Sequence, residues 1–460
     1  MRYQSFKHLL ETQAEQNPEQ NAFLYEENNE QKTCTYAQFL SLARFRKEEL
    51  QKENIRAAGI YCDNSFNSVL DIFAANLAGI RLVLFSPNED PTVLKDQIQS
   101  SNIDVILNDR NSETETKNKK IQNSSEDEKE NSDQILFFTS GTTSASRAVV
   151  LSGYSLMQSA YNGEALLPLH KDDILLSILP MSHVFGFVCG LLWGLSAGST
   201  IALGRGMRHY MDDFDYYKPT AVSLVPALLA FLFHRNLFNP RLKLILVGAG
   251  DCPDTLMEDV KAKGYTLAFG YGLTETSSGV ALYTGTGDDP HAFTICPDDT
   301  ISIAEDGEIL IKAPTCMMQG YYEDKEAAEA VLKDGVLYTG DLGFLDEEGK
   351  LHVTGRKKEI ILLSDGTKIF LPEYEAEIKS LLQDNEAAVL LIENRLTLVT
   401  EKEYEKKEVL ETLKPFLDTK PRGQKITDVI SLHHPLPKTA TGKVKRWEIG
   451  EELTGRKEDR

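Results

Sequence analysis

Residues 57–87 read AAGIYCDNSFNSVLDIFAANLAGIRLVLFSP. The run AAGIYC is short and apolar, NSVLDIFAANLAG carries apolar residues at helical spacing, and IRLVLFSP is apolar again. That order predicts strand, helix, strand, a unit that implies a parallel sheet covered by helices. Outward from it the same kind of run recurs as VILND at 105–109, ILFFTSG at 135–141, STIALG at 199–204, AVSLVP at 221–226 and LKLILVG at 242–248. The sequence predicts a large α/β domain.

Beyond about residue 341 the texture changes to short alternating runs (KLHVTGR, EIILLS, TKIFL, AAVLLIE, RLTLVT) and two charged helical stretches, at 373–383 and 406–416. We expect a small α+β C-terminal domain over 356–460, following a large domain over 1–355, with the boundary at 355–358. Residues 110–133, RNSETETKNKKIQNSSEDEKENSD, hold seven acidic and five basic side chains and one aliphatic, Ile121. Such a composition buries too little apolar surface to offset the entropy of ordering, so a mobile surface loop is predicted there.

The chain has 460 residues, enough for several domains at roughly 100–200 residues each. With 49 Lys+Arg against 70 Asp+Glu and a formal charge of -21, it is not expected to bind nucleic acid or anionic membranes. A small polyanion in a local pocket remains compatible with that balance. The cysteines at 34, 62, 189, 252, 296 and 316 form no CxxC pair, which fits a reducing compartment and offers neither a zinc site nor a disulfide framework. A cytoplasmic location is expected. The first twenty residues lack the apolar core of a secretory signal and read as an amphipathic helix. The longest apolar stretch, 184–197, is broken by glycines and shorter than the roughly 20 residues of a bilayer span, so no transmembrane segment is expected and the stretch belongs in a core.

Four segments carry candidate chemistry. In ILFFTSGTTSASR, an apolar strand leads into Thr139, Ser140, Gly141, Thr142 and Thr143 and ends on Arg147, so hydroxyls and backbone N–H groups can surround phosphate oxygens beside a guanidinium. It is not the GxxxxGK[ST] phosphate loop. In Phe269-Gly270-Tyr271-Gly272-Leu273-Thr274-Glu275-Thr276, glycines flank an aromatic so that a flat base can approach, Thr274 can meet a phosphate, and the Glu275 carboxylate can hold Mg²⁺. Tyr338-Thr339-Gly340-Asp341 and Thr354-Gly355-Arg356 place a carboxylate suited to ribose hydroxyls and a cation on either side of the hairpin-like GFLDEEGKLHV. The last is PKTATGKVKR, with Lys443 on a Gly-Lys loop. Taken singly, each is as readily a turn or a solvated charged face.

Together and in this order, they resemble the adenylate-forming superfamily of acyl-CoA synthetases, nonribosomal peptide adenylation domains and firefly-type luciferases, and most of all its acyl-CoA synthetase branch. The likeness runs along nearly the whole chain; HLLETQAEQNPEQNAFLY and Thr35-Tyr36 look like that family's opening helix and Thr-Tyr element. It implies an enzyme in which a carboxylic acid attacks the α-phosphate of MgATP, giving an acyl-adenylate and pyrophosphate, after which a thiol displaces AMP. Attack of one anion on another needs cations and N–H groups where charge develops.

By resemblance, residues 139–143 form the phosphate loop, Tyr271 stacks on adenine, Thr274 contacts the α-phosphate and Glu275 binds Mg²⁺. Gly248, Ala249 and Gly250 with Asp251 form the other adenine wall, Gly272 belongs to the same nucleotide site, Asp341 holds the ribose, and Arg356 helps hold the nucleotide. Lys443 bridges the reacting carboxylate and the α-phosphate. His183 lies near the acyl carboxylate as a pocket wall or gate, with a core histidine as the plainer alternative. Amino-acid-activating members carry an Asp at the place of His183, so a plain acid is favoured. Lys358 falls at the hinge about which the small domain rotates between the half-reactions. ATP, Mg²⁺ and CoA are the implied cofactors and co-substrate.

One departure stands out. The family loop continues Thr-Gly-x-Pro-Lys-Gly, whereas this chain has Thr143-Ser144-Ala145-Ser146-Arg147-Ala148, with Arg in place of Lys. The apolar segments SHVFGFVCG and SLVPALLAFL point to an alkyl or aryl acid, and GRKKEIILLSDGTKI looks most like long-chain acyl-CoA synthetases, so a medium- or long-chain fatty acid or another apolar acid is expected. Two alternatives stay open: transfer to an acyl carrier protein acting in trans, and a non-catalytic descendant that binds nucleotide or acyl groups.

Overall fold

The structure, a computed structural model, describes residues 1–108, 133–139, 147–363, 368–392, 395–438 and 444–455. The 57–87 unit folds as its pattern requires. Strands Ala57–Tyr61 and Arg81–Phe85 pair in parallel, Ala57 opposite Arg81 and Tyr61 opposite Phe85, and the helix Phe66–Leu77 crosses between them. Ser65 caps that helix by accepting from the N–H of Ser68, and Val69, Ile72 and Phe73 bury its inner face. All five residues of Arg81–Phe85 are buried, as expected of a parallel strand covered on both faces.

Around this unit lies a six-stranded sheet in the order Gly320–Tyr321, Arg147–Ser152, Gln134–Thr139, Arg81–Phe85, Ala57–Tyr61, Val105–Ile106. A nine-stranded sheet runs Thr294–Ile295, Ser278–Tyr283, Thr266–Leu273, Leu244–Val247, Ala221–Leu224, Ile174–Ser177, Thr200–Leu203, Asn21–Glu27, Glu30–Thr35, parallel through its centre and antiparallel at both edges. The apolar stretch from 184 is buried as α-helix Val184–Phe187, a π-helical turn Val188–Leu192 and α-helix Trp193–Ser196. The opening helix is Phe6–Gln16, capped by Ser5. The Thr35-Tyr36 pair is structural: Thr35 forms a capping box with Gln38, and the buried Tyr36 hydroxyl donates to the Ser199 carbonyl at 2.7 Å. Among the described residues no helix is long and apolar enough to cross a membrane.

A third sheet contains Thr300–Ile303, Glu308–Lys312, Val336–Leu345 and Leu332–Lys333, with Leu351–Arg356 paired to Val336–Leu345. After it the small C-terminal domain builds the hairpin Ile360–Leu362/Lys368–Phe370 and the sheet Ala387–Ile392, Arg395–Thr400, Asp428–Ser431. Its two apolar clusters, one around Ile378 and Leu398 and one around Val399 and Ile449, contain no residue before Ile361.

Two details depart from expectation, and a third segment lies almost wholly outside the described residues. The 406–416 stretch is two helices, Lys406–Thr412 and Lys414–Asp418, because Pro415 cannot continue the hydrogen-bond ladder of a single one. The run 269–273 is strand, not turn; Thr266–Leu273 keeps pairing with Ser278–Tyr283 through a bulge between Tyr271 and Gly272. Of the predicted 110–133 loop only Asp133 lies within the described residues, and it is fixed, accepting from Asn76 at 3.0 Å and from the Tyr154 N–H at 3.2 Å.

Candidate active site

The nucleotide candidates sit at strand ends. Thr139 closes Gln134–Thr139 and Arg147 opens Arg147–Ser152, directly opposite each other in the antiparallel register, with the Thr139 hydroxyl donating to the Arg147 carbonyl at 3.3 Å. This hairpin brackets Ser140, Gly141, Thr142 and Thr143, which lie outside the described residues. Gly248, Ala249 and Gly250 follow Leu244–Val247, Ala249 with a positive φ of 63°. A Cβ on Gly248 would stand 2.9 Å from the Phe185 ring, so this glycine lets the helix begun by His183 close onto the turn.

Tyr271, Asp341 and Arg356 come together. The Tyr271 hydroxyl donates to Asp341 Oδ2 at 3.0 Å, and Arg356 Nε lies 2.6 Å from Asp341 Oδ1. The pair is set by sheet register, since Asp341 and Arg356 are opposite each other on adjacent antiparallel strands. Asp341 is buried and Arg356 half exposed. Burial, then the Asp341 charge, pushes the Tyr271 hydroxyl well above its usual pKa, so it remains a donor. Asp341 therefore already has partners, which any ligand hydroxyl would have to share or displace.

The two glycines beside Tyr271 differ from the expectation that both open a path for a base. A Cβ on Gly270 would meet nothing within 4 Å, whereas one on Gly272 would fall 1.8 Å from the Ser278 carbonyl oxygen. Gly270 faces open space; Gly272 is demanded by the neighbouring strand.

Thr274 and Glu275 lie on the 3₁₀ turn Thr274–Thr276 that follows. Glu275 Oε1 accepts from the Tyr321 hydroxyl at 2.7 Å, and its carbonyl accepts from the Met318 N–H at 2.8 Å. The Tyr321 ring also carries Arg147, whose guanidinium carbon is 5.5 Å from the ring centroid and whose Nε is 3.5 Å from Asp324 Oδ2. Tyr321 and Asp324 escaped the sequence reading; the signal was the glycine, two aromatics and two carboxylates of Gly320-Tyr-Tyr-Glu-Asp324. Glu275 suits Mg²⁺, a hard cation commonly held by one or two carboxylates together with substrate phosphates and water. Among the described residues no group of three or more His, Cys, Asp or Glu side chains that could hold a metal ion is found.

His183 precedes Val184–Phe187, and its carbonyl accepts from the Phe187 N–H at 2.9 Å. Burial lowers the pKa of its imidazole, opposed by the charge of Glu89, so the ring is neutral at pH 7. No described hydrogen bond joins it to the other candidates. Further along this helical segment, Cys189 Sγ lies 3.7 Å from the Ser278 hydroxyl, and the Ser223 hydroxyl donates to the Cys189 carbonyl at 2.9 Å. Lys443 lies outside the described residues, but a bridge between Lys438 and Val444 closes the loop that carries it.

Two clusters, one of Tyr271, Asp341 and Arg356 and one of Glu275, Tyr321 and Arg147, thus flank the end of one strand. The AMP-binding enzyme family matches residues 10–322. The chain belongs to that family. It resembles the 2-succinylbenzoate–CoA ligase of Bacillus subtilis (strain 168), 28% identical over 411 residues and 82% of each chain. The indoleacetate–CoA ligase of Aromatoleum aromaticum is 35% identical over 271 residues, 55% of this chain and 52% of that one. Among solved structures, the B. subtilis o-succinylbenzoate CoA synthetase with its acyl-adenylate intermediate superposes with a TM-score of 0.80 at 24% identity, covering 96% of this chain and 97% of that one. ATP-bound MatB from Rhodopseudomonas palustris gives 0.77 at 18% identity, covering 98% and 99%. With this membership and these likenesses the chain is an AMP-forming acid–thiol ligase.

Proposed function

We propose that the chain activates an apolar monocarboxylic acid and transfers it to CoA, with the residues above in the roles their positions suggest. The observation that carries the nucleotide part is the Tyr271–Asp341–Arg356 cluster. A buried carboxylate set between a ring hydroxyl and a guanidinium suits a ribose, and the same ring offers a face to the base. Glu275 would hold Mg²⁺, which would supply neutralisation of the phosphate oxygens there. Thr274 and Arg147, with the 139–143 loop, face the phosphates, and Gly248, Ala249 and Gly250 wall the base. Lys443 meets the acid carboxylate and the α-phosphate, where it offsets the charge that builds as one anion attacks another.

For the acid, we take as one wall the segment that begins at His183, where Phe185 lies against Gly248, Cys189 Sγ lies beside the Ser278 hydroxyl and the Ser223 hydroxyl donates to the Cys189 carbonyl. That wall favours a hydrocarbon or aryl body over a second carboxylate. An aryl acid is the first choice within this class, because indoleacetate, the acid named for one of the similar ligases, is an aryl monoacid, whereas succinylbenzoate, named for the other, carries a second carboxylate; a medium- or long-chain fatty acid is the second choice. The division into 1–355 and 356–460 with its hinge at Lys358 belongs to the same reading, supported by apolar clusters that do not mix across it.

Incubation with ATP, Mg²⁺, a panel of aryl, fatty and short dicarboxylic acids, and either CoA or an acyl carrier protein tests this. AMP and an acyl-CoA are expected with aryl or alkyl monoacids. Thioester formed only on the carrier protein, or only from the dicarboxylic acids, contradicts the proposal.

A further inference from the structure

We propose that Tyr321 is a positioning residue for the activation step, its hydroxyl aiming the Glu275 carboxylate and its ring aligning the Arg147 guanidinium, so that the metal-binding and phosphate-binding groups move as one unit. The proposal rests on the assignment of Glu275 to Mg²⁺ and Arg147 to phosphate made above.

Sheet geometry sets up the contact. Strand Gly320–Tyr321 pairs antiparallel with Arg147–Ser152, Gly320 opposite Val150 and Tyr321 opposite Val149. Arg147, two residues before Val149, is then the diagonal neighbour of Tyr321 on the same face, within reach of long and aromatic side chains. Further backbone bonds hold the segment: Gln319 N–H to the Val150 carbonyl at 2.9 Å and Tyr322 N–H to the Ala148 carbonyl at 2.8 Å. On the opposite face Tyr322 anchors it, its ring 4.5 Å from the Arg81 guanidinium and its hydroxyl accepting from Asn102 at 3.4 Å. Arg81 is itself buried, donating to the carbonyls of Ser101 and Asn102. Tyr321 is therefore a stiff strut rather than a free side chain.

That strut constrains two groups at once. The hydroxyl occupies Glu275 Oε1 at 2.7 Å, and among the described residues Oε2 has no hydrogen-bond partner, which selects the oxygen that faces a cation. The Met318 N–H fixes the Glu275 carbonyl from the same segment. Arg147 lies over the ring and against Asp324, and its planar, five-donor guanidinium can do both while keeping N–H donors for phosphate. The arginine at the end of this unusual phosphate loop thereby acquires a structural partner that a lysine would use less well.

Binding of MgATP without any acid, and of AMP, measured by calorimetry on Tyr321→Phe, Glu275→Gln and the double variant, tests the inference independently of turnover. Tyr321→Phe, which keeps the ring, is expected to weaken MgATP about tenfold and leave AMP unchanged, the scale of one hydrogen bond to a charged group. The double variant is expected to bind MgATP no more weakly than Glu275→Gln alone. Tyr321→Leu, which also frees Arg147, is expected to weaken magnesium pyrophosphate further than Tyr321→Phe does. Wild-type MgATP affinity in Tyr321→Phe, or losses that multiply fully in the double variant, would overturn the positioning role. Unchanged affinity in Glu275→Gln would instead overturn the metal assignment on which it rests. Thermal unfolding confirms that the compared variants are folded.

Discussion

Asp299 shows how a residue behind the site shapes the behaviour of the whole chain. It is buried beside the Ser277–Cys316 contact, where the Ser277 hydroxyl donates to the Cys316 carbonyl at 2.7 Å, and its Oδ2 accepts from Asn162 at 3.2 Å. Its Oδ1 has no hydrogen-bond partner among the described residues. Burial, and secondarily the charge of Asp298, pushes its pKa up to about 7. An unfolded aspartate titrates near about 4, so between these values the folded chain holds a proton that the unfolded chain has released. The stabilisation this proton gives is complete below about pH 4 and is lost as pH rises through about 7. Asp299→Asn is therefore expected to unfold at a higher temperature than wild type at pH 8 and at nearly the same temperature at pH 4. Scanning calorimetry across that range checks it, and an unchanged pH slope in the variant contradicts it. Glu164, also raised to about 7 by burial, keeps its own share of the slope in both proteins.

At the scale of elements, the sequence showed the fold wherever the physics is local. Residues 57–87 could be read because a parallel strand buried on both faces must be apolar throughout, and because the spacing of Val69, Ile72 and Phe73 announces a helix. The 269–276 segment was only half legible. Its residue types suggested a nucleotide site, but the reason for Gly272 is the Ser278 carbonyl on the paired strand, and nothing local reveals that contact. The Tyr321–Glu275 bond was equally hidden, since it joins residues 46 apart through a strand pairing. Gly272→Ala is expected to cost at least about 2 kcal/mol, because the obstruction is backbone and the bulge must open to relieve it. Chemical denaturation measures this. A variant as stable as wild type would show that the bulge is not the constraint described here.

Across the whole molecule, charge and architecture fit together. Residues 357–460 carry 19 basic and 20 acidic side chains, so nearly all of the -21 resides on the larger part. In the proposed function a polyanionic nucleotide then depends on a few placed cations: Arg147 at the phosphate loop, Arg356 before the proposed hinge, and Lys443 on the near-neutral small domain. The sequence made this order of motifs visible, but the Arg356–Asp341 pairing needed the sheet register to appear. Arrival and withdrawal of Lys443 with the small domain is the proposed device that separates acid activation from thioester formation. The most direct test is acid-dependent exchange of pyrophosphate into ATP by wild type and Lys443→Ala, with thioester formation from pre-made acyl-adenylate and CoA measured beside it. The account predicts exchange by wild type, loss of exchange by about a hundredfold or more in Lys443→Ala, and retained thioester formation in both. No exchange by wild type with any aryl or alkyl acid, or equal exchange by the two proteins, would contradict it.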